Sequence, residues 1–393
     1  MVLVDPSELV WTVLPNTIAS VTPTGTTVTV TGVFTGNGNV VVTEKYSGVS
    51  ASSPITVLPN LLTYNWTAST AVGRFQNPVL APDGSVVVNI VDDSNSANCA
   101  LNCYESSTGA LRWSTKVGGP ILASAVFDGA GHVFAGGTYG VGFPKSNPNV
   151  FALSLATGSV IWSTANWNAS VNIPLGLTYG NGTLFVGLDG TVKNVFALNP
   201  ANGTTIWSDS ISGTAANTPA YSSVGNQLFV SSVGGTVNAY NATTGSLNWT
   251  KTYSGSTGIL AHPSGDAIVS SLLNGFVKLN GTNGNQKWLI GNGYPFRIAV
   301  LAQGGYLFAG TDTQTVGVTP DGGPTLFYFQ PAQHLTVEAN NSVYVSNNNG
   351  LFVYLNNQTG LSWQFPASIG GHASTPGGTV YAAHLDKLYS IHP

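Results

Sequence analysis

The chain is predicted to be all-β: an eight-bladed β-propeller over residues 60–393, closed by an N-terminal strand, with a small β unit at residues 1–59. Three observations carry this. A segment such as "VFALNPANGTTIW", ending at Trp207, recurs as "VFALSLATGSVIW" at Trp162, "VNAYNATTGSLNW" at Trp249 and "FVKLNGTNGNQKW" at Trp288. The closing aromatics Trp66, Trp113, Trp162, Trp207, Trp249, Trp288, Phe327 and Trp363 are spaced by 47, 49, 45, 42, 39, 39 and 36 residues. Between them the apolar residues alternate with period two, and no convincing helix interrupts.

Within each unit the order of elements follows from local chemistry. A glycine stands four residues before most of the aromatics, at Gly109, Gly158, Gly203, Gly245, Gly284 and Gly323, with Gly360 one residue closer. Preceded by Thr, Asn or Gly, it marks a tight turn that needs a positive φ. An alternating strand precedes the turn ("VFALN", "VNAYN", "FVYLN") and another precedes that ("GTLFVGL", "NQLFVSS", "NSVYVSN"). Four short antiparallel strands in about 40 residues make a propeller blade. Seven full units end at Trp113 through Trp363, and three more strands follow before Pro393. The orphan "LLTYNW" ending at Trp66 supplies the missing fourth strand, closing an eighth blade and leaving no open sheet edge. Seven blades is the alternative, if the degenerate unit around Phe327 is not separate.

Composition narrows the function. Only 7% of residues are charged, where about a quarter is usual, while 42% are hydrophobic. That speaks for a folded chain with a durable external surface. Eleven Lys and Arg against fifteen Asp and Glu form no basic stripe, so nucleic acid is an unlikely partner. No apolar run of 18 residues is present to span a membrane. "MVLVDPSELVW" lacks the basic start and apolar run of a signal peptide, so the expected route outside is either another form of export or release by lysis as part of a particle.

The units ending "STGALRW", "ATGSVIW" and "TTGSLNW" resemble the repeat of the pyrroloquinoline-quinone (PQQ) type propellers, the quinoprotein alcohol dehydrogenase superfamily, over residues 61 to 393. The resemblance implies the fold more than the activity, since the same propeller also serves non-enzymatic scaffolds such as the lipoprotein of outer-membrane protein assembly. Upstream, Asn16 to Val57 is similar to the later half of a bacterial Ig-like domain of group 2, in truncated form. That second resemblance implies an adhesive or decorating module of bacterial surfaces or phage virions. One hypothesis is that so short a unit completes itself against a neighbouring chain or packs on the propeller.

A quinoprotein dehydrogenase would need a Ca²⁺ site, a catalytic Asp, cationic groups round the quinone and adjacent cysteines. Here Cys99 and Cys103 are not adjacent. Aligned through the turn glycine, Cys103 falls level with Ala152, Ala197 and Ala239, the place of a small buried filler, while a Cys99–Cys103 disulfide stays open. Asp92 and Asp93, in "VDDSNSAN", are weak Ca²⁺ candidates whose simpler role is an acidic hairpin tip. Alignment of the first strands puts Asn77, Gly119, Ile173, Thr218, Gly258, Arg297 and His334 at one position, with His372 within one residue. Asn77, Arg297, His334 and His372 would then form a polar crescent at the channel mouth, suited to an anion or a sugar. No carboxylate accompanies them as a general acid or base. Most acidic residues, including Asp83, Asp128, Asp266 and Asp321, flank turn glycines. The nine Asn-x-Ser/Thr sequons are what the composition alone would produce.

The expected protein is therefore a non-enzymatic structural or binding protein of an external surface, in its most specific form a phage virion component such as a capsid decoration, fibre or tail adhesin. No catalytic residue, metal or cofactor is assigned. Its partners would be other virion or surface proteins, reached through the Ig-like unit in an oligomeric assembly, with a host-surface glycan as a further candidate. The rivals are a quinoprotein-like dehydrogenase and a carbohydrate-binding propeller that stacks sugars on Trp11 or Trp167.

Overall fold

The computed structural model describes residues 5–16, 19–32, 36–57, 63–117, 124–137, 150–164, 173–189, 193–213, 218–271, 273, 275–290, 298–310, 315–322, 327–329, 332–338, 342–347, 350–354, 363–365 and 371–392. Apart from three single-turn 3₁₀ helices, every element among them is a strand.

Eight four-stranded antiparallel sheets account for the repeats, seven of them with their strands in consecutive order. Their first strands are Arg74–Leu80, Val126–Phe127, Ile173–Gly180, Ala220–Ser222, Ser256–Ala261, Ile298–Leu301, His334–Val337 and His372–Ser374. We number the blades in that order. Each first strand contacts that of a neighbouring blade, so these strands form the inner ring. Blade 8 takes its fourth strand from far upstream, where Thr63–Ser69 pairs antiparallel with Lys387–His392 and sets Trp66 opposite Ser390. The degenerate unit ending at Phe327 is a full sheet of its own.

Second and third strands are buried along their whole length in blade 1 (Val86–Val91 and Ala100–Tyr104), because both faces meet other blades. Fourth strands alternate, as Leu111–Lys116 does with Trp113 turned inward. Among the described residues eight apolar clusters fill the propeller, each joining two neighbouring blades; one unites Trp113 and Leu101 of blade 1 with Val133 and Phe151 of blade 2. The core therefore lies in the seams between blades.

The recurring Gly and Trp make those seams. A Cβ on the turn glycine would lie 2.5 to 2.8 Å from the indole of the preceding blade, for Gly109 on Trp66, Gly158 on Trp113, Gly203 on Trp162, Gly245 on Trp207, Gly284 on Trp249 and Gly322 on Trp288. The same indoles donate Nε1–H to a carbonyl in that turn, from Trp66 to Ser106 through Trp288 to Pro320, at 2.6–3.2 Å. Indole nitrogen is a donor only, so a buried Trp has to find such an acceptor. The turn glycine of blade 6 is Gly322, not Gly323; "DGGP" holds two glycines, and Gly322 is the one described with a left-handed φ of 76°. Gly323 and Gly360 lie outside the described residues. Phe327 and Trp363 occupy the closing position, pairing with Gly317 and Val353, but only their backbones are described.

Upstream lies a separate small β unit. Strands β1 (Leu9–Leu14), β4 (Gly36–Glu44) and β5 (Ser50–Val57) form one sheet, and β2 (Ala19–Thr24) and β3 (Thr27–Gly32) a hairpin. Val13, Ala19 and Val40 are its buried core, with Trp11, Val21, Val28 and Ile55 packed against them.

Candidate functional site

Inner strands of blades 1, 2, 3, 7 and 8 line an open cleft of about 910 Å³, formed chiefly by residues 78–82, 125–127 and 177–179 with Thr336 and residues 372–374. Apolar side chains such as Val79, Leu80, Phe127 and Leu177 dominate this lining, which among the described residues contains no carboxylate, lysine or arginine. His372 is its one titratable group besides Tyr179.

The crescent read from the sequence is only partly assembled there. Asn77 stands in blade 1 where the ladder slips between Gln76 and Val79, with a left-handed φ of 50°. Gly371 of blade 8 packs on it so closely that a Cβ would meet the Asn77 nitrogen at 3.0 Å. That approach places His372 beside blade 1. Its ring, however, turns toward blade 7: Nδ1 lies 3.2 Å from Ser346 Oγ and the ring is 6.4 Å from that of Tyr344. His372 is buried, and Nε2 has no hydrogen-bond partner among the described residues. Burial, with His334 adding to it, pushes its pKa down to about 3, so it is neutral at physiological pH. Burial lowers the pKa of His334 too, one strand over, where it pairs with Ser346. Neither histidine is a cationic hook for an anion. Arg297 and Gly119 lie outside the described residues.

Asp92 is committed to its own loop. Its carboxylate accepts from Ser94 N at 2.9 Å, Ser94 Oγ at 2.6 Å, Asn95 N at 3.1 Å and Asn98 Nδ2 at 2.8 Å. These bonds, first the Ser94 hydroxyl, hold its pKa down at about 2. Asp93 pairs with Arg74. No group of three potential metal ligands occurs among the described residues. Cys103 is fully buried opposite Trp113, as Ala152, Ala197 and Ala239 are opposite Trp162, Trp207 and Trp249. Both cysteines are free, buried thiols, and burial raises both pKa values.

Sequence reasoning missed one polar cluster. At the level of those small residues blade 5 has Lys278, opposite Trp288 and buried. Its Nζ lies 3.3 Å from His262 Nε2, 3.2 Å from the Pro320 carbonyl of blade 6 and 3.6 Å from Asp266 Oδ2. Ser264 bridges His262 Nδ1 and Asp266 Oδ2 at 2.7 Å each, and Lys287 reaches Asp266 at 2.8 Å. Desolvation lowers the Lys278 and His262 pKa values; at Asp266 the Lys287 and Ser264 bonds outweigh desolvation and the pKa falls. The signal was present: a lysine where three other blades place alanine. The cluster ties blade 5 to blade 6.

A family model described as "Outer membrane protein assembly factor BamB" matches residues 63–288 and again 192–392. The crystal structure of BamB from Moraxella catarrhalis superposes with a TM-score of 0.60 at 14% identity, covering 85% of this chain and 98% of that one. A computationally designed protein, Ika8, superposes at 0.66 with 11% identity, covering 82% and 98%. At such identities the likeness speaks for the fold alone. No curated protein matches the chain.

Proposed function

The chain belongs to the BamB-type PQQ-like repeat family, and from that premise we propose that it is a non-enzymatic binding and structural protein of an external surface, attached through its N-terminal β unit and displaying the propeller. The observation that carries this is the cavity lining. PQQ and its Ca²⁺ need carboxylate and amide oxygens, a catalytic Asp and cations, whereas the described lining is mostly apolar, with a few hydroxyls and one buried, neutral histidine. Among the described residues the lining offers no carboxylate or cation to hold the quinone and its Ca²⁺. Asp92, the other candidate ligand, spends its oxygens on a turn. The BamB model's own description, an assembly factor, agrees with a propeller used as a protein-binding scaffold.

In its most specific form the reading is a phage virion component, a capsid decoration, fibre or tail adhesin. It rests on the low charge of the chain and on the Ig-like resemblance of residues 16–57. Sugar stacking is the weaker rival: Trp11 packs into the small core of the N-terminal unit, and Trp167 lies outside the described residues. The experiment is dye reduction by the full-length protein supplied with PQQ, Ca²⁺ and a panel of alcohols and aldehydes. The expected rate is that of the blank, and turnover on the order of 1 s⁻¹ would overturn the reading.

A further inference from the structure

The N-terminal unit has the two layers of a sandwich without its closure. Trp11 on β1, Val40 and Val42 on β4, Ile55 on β5 and Val28 and Val30 on β3 surround an apolar cavity of about 350 Å³. Residues that a closed sandwich would cover are open: Val30 is 37% exposed, and Ala51 and Ser53 are exposed beside it. Trp11 Nε1 is buried with no acceptor among the described residues. The gap lies between the outer side of β3 and the face of β5, since among the described residues β3 pairs with β2 alone.

Composition says what fits. Edges are normally protected by charge or proline. β2 carries Pro23 and β5 carries Pro54, each in a non-hydrogen-bonded pair of its ladder, so that the missing donor is on the strand's outer edge. β3 reads Thr-Val-Thr-Val-Thr-Gly, without proline, and residues 19–32 and 50–57 contain no Asp, Glu, Lys or Arg. The two-residue turn at Gly25 and Thr26 makes Thr24 and Thr27 the last hydrogen-bonded pair of the hairpin. By alternation, the N–H and C=O of Val28 and Val30 then point away from β2, to the open side. An antiparallel strand of the same sequence centred on Thr29 sets Val28 opposite Val30 twice, with all four valines on the cavity face.

We propose that β3 is the contact between two copies of this chain, pairing antiparallel with β3 of the second copy about a twofold axis. The hairpins join into one four-stranded sheet, and the second copy's valines cover Ala51 and Ser53. The interface is isologous, so one open edge satisfies the other and no filament grows. An uncharged strand meets its own copy without like-charge repulsion, which a shared acidic or basic edge would bring.

The proposal takes the N-terminal unit as the attachment element of the reading above. Its test is native mass spectrometry and light scattering of the full chain from about 1 to 100 µM. The wild type is expected as a dimer. Val30→Pro removes an N–H that faces the open side and spares the β2 ladder; it is expected to dimerise at least tenfold more weakly with unchanged circular dichroism. Val30→Lys, which keeps the N–H but adds charge, should do the same, while Val224→Lys on the propeller should not. A wild type that stays monomeric, or folded Val30 variants that dimerise as well as wild type, overturns the proposal. Dye reduction with PQQ would sink the functional reading and leave this dimer standing.

Discussion

Gly203→Ala tests the seam directly. Gly203 has φ 72°, and a Cβ there would lie 2.6 Å from Trp162 Cε3. Gly182 has nearly the same φ, 70°, with nothing within 4 Å of its Cβ position. Alanine in the left-handed region costs about 1 kcal/mol at either site. At Gly203 the methyl must also displace an indole fixed by its bond to the Pro200 carbonyl at 2.7 Å. Overpacking adds about 1–3 kcal/mol, and loss of the indole bond adds about 1 kcal/mol more if the ring swings away. Gly203→Ala should therefore cost about 2–5 kcal/mol and Gly182→Ala about 1 kcal/mol. Urea unfolding at unchanged m reads the difference as a shift in midpoint. Equal losses at the two sites would show that the glycine is kept for its turn alone and that the indole contact adds nothing.

The polar knot of blade 5 gives an asymmetric pair: Lys278→Met should be within about 1 kcal/mol of wild type, while Asp266→Ala, which strands a buried ammonium, should cost about 3 kcal/mol or more; equal losses in urea unfolding would contradict this. Acid should weaken the fold early. His372 titrates at about 3 when folded and near 6.5 when unfolded, so its contribution is intact above pH 6.5 and drains away as the pH falls toward 3. At pH 5 the deficit is about 2 kcal/mol. His262 and His334, also lowered, add to the same limb. His372→Leu should lose correspondingly less stability between pH 7 and 5, and an unchanged pH slope would refute the assignment.

What the sequence made legible was whatever depends on covalent spacing. A turn glycine and the Trp four residues on are fixed to each other by one hairpin, so blade count and the pairing of "LLTYNW" with the last three strands could be read directly. The Gly322 and Gly323 ambiguity marks the limit of that method, because two adjacent glycines differ only in φ. His372 marks another. Alignment places a residue on an inner strand, but whether its ring faces the channel or the seam depends on where the chain enters that strand, and Gly371 against Asn77 decides it. Lys278 went unread because partners 12 to 42 residues away satisfy it, although its break with the alanines of neighbouring blades was in plain view. The open side of β3 was anticipated only as a sandwich too short to close.

The measurement that bears most directly on the central claim is native mass spectrometry of the full-length chain incubated with PQQ and Ca²⁺. The account predicts no retained quinone, because the described channel lining has no group to hold one. One quinone per chain, stable to buffer exchange and dependent on Ca²⁺, would contradict it and make the dehydrogenase the leading reading.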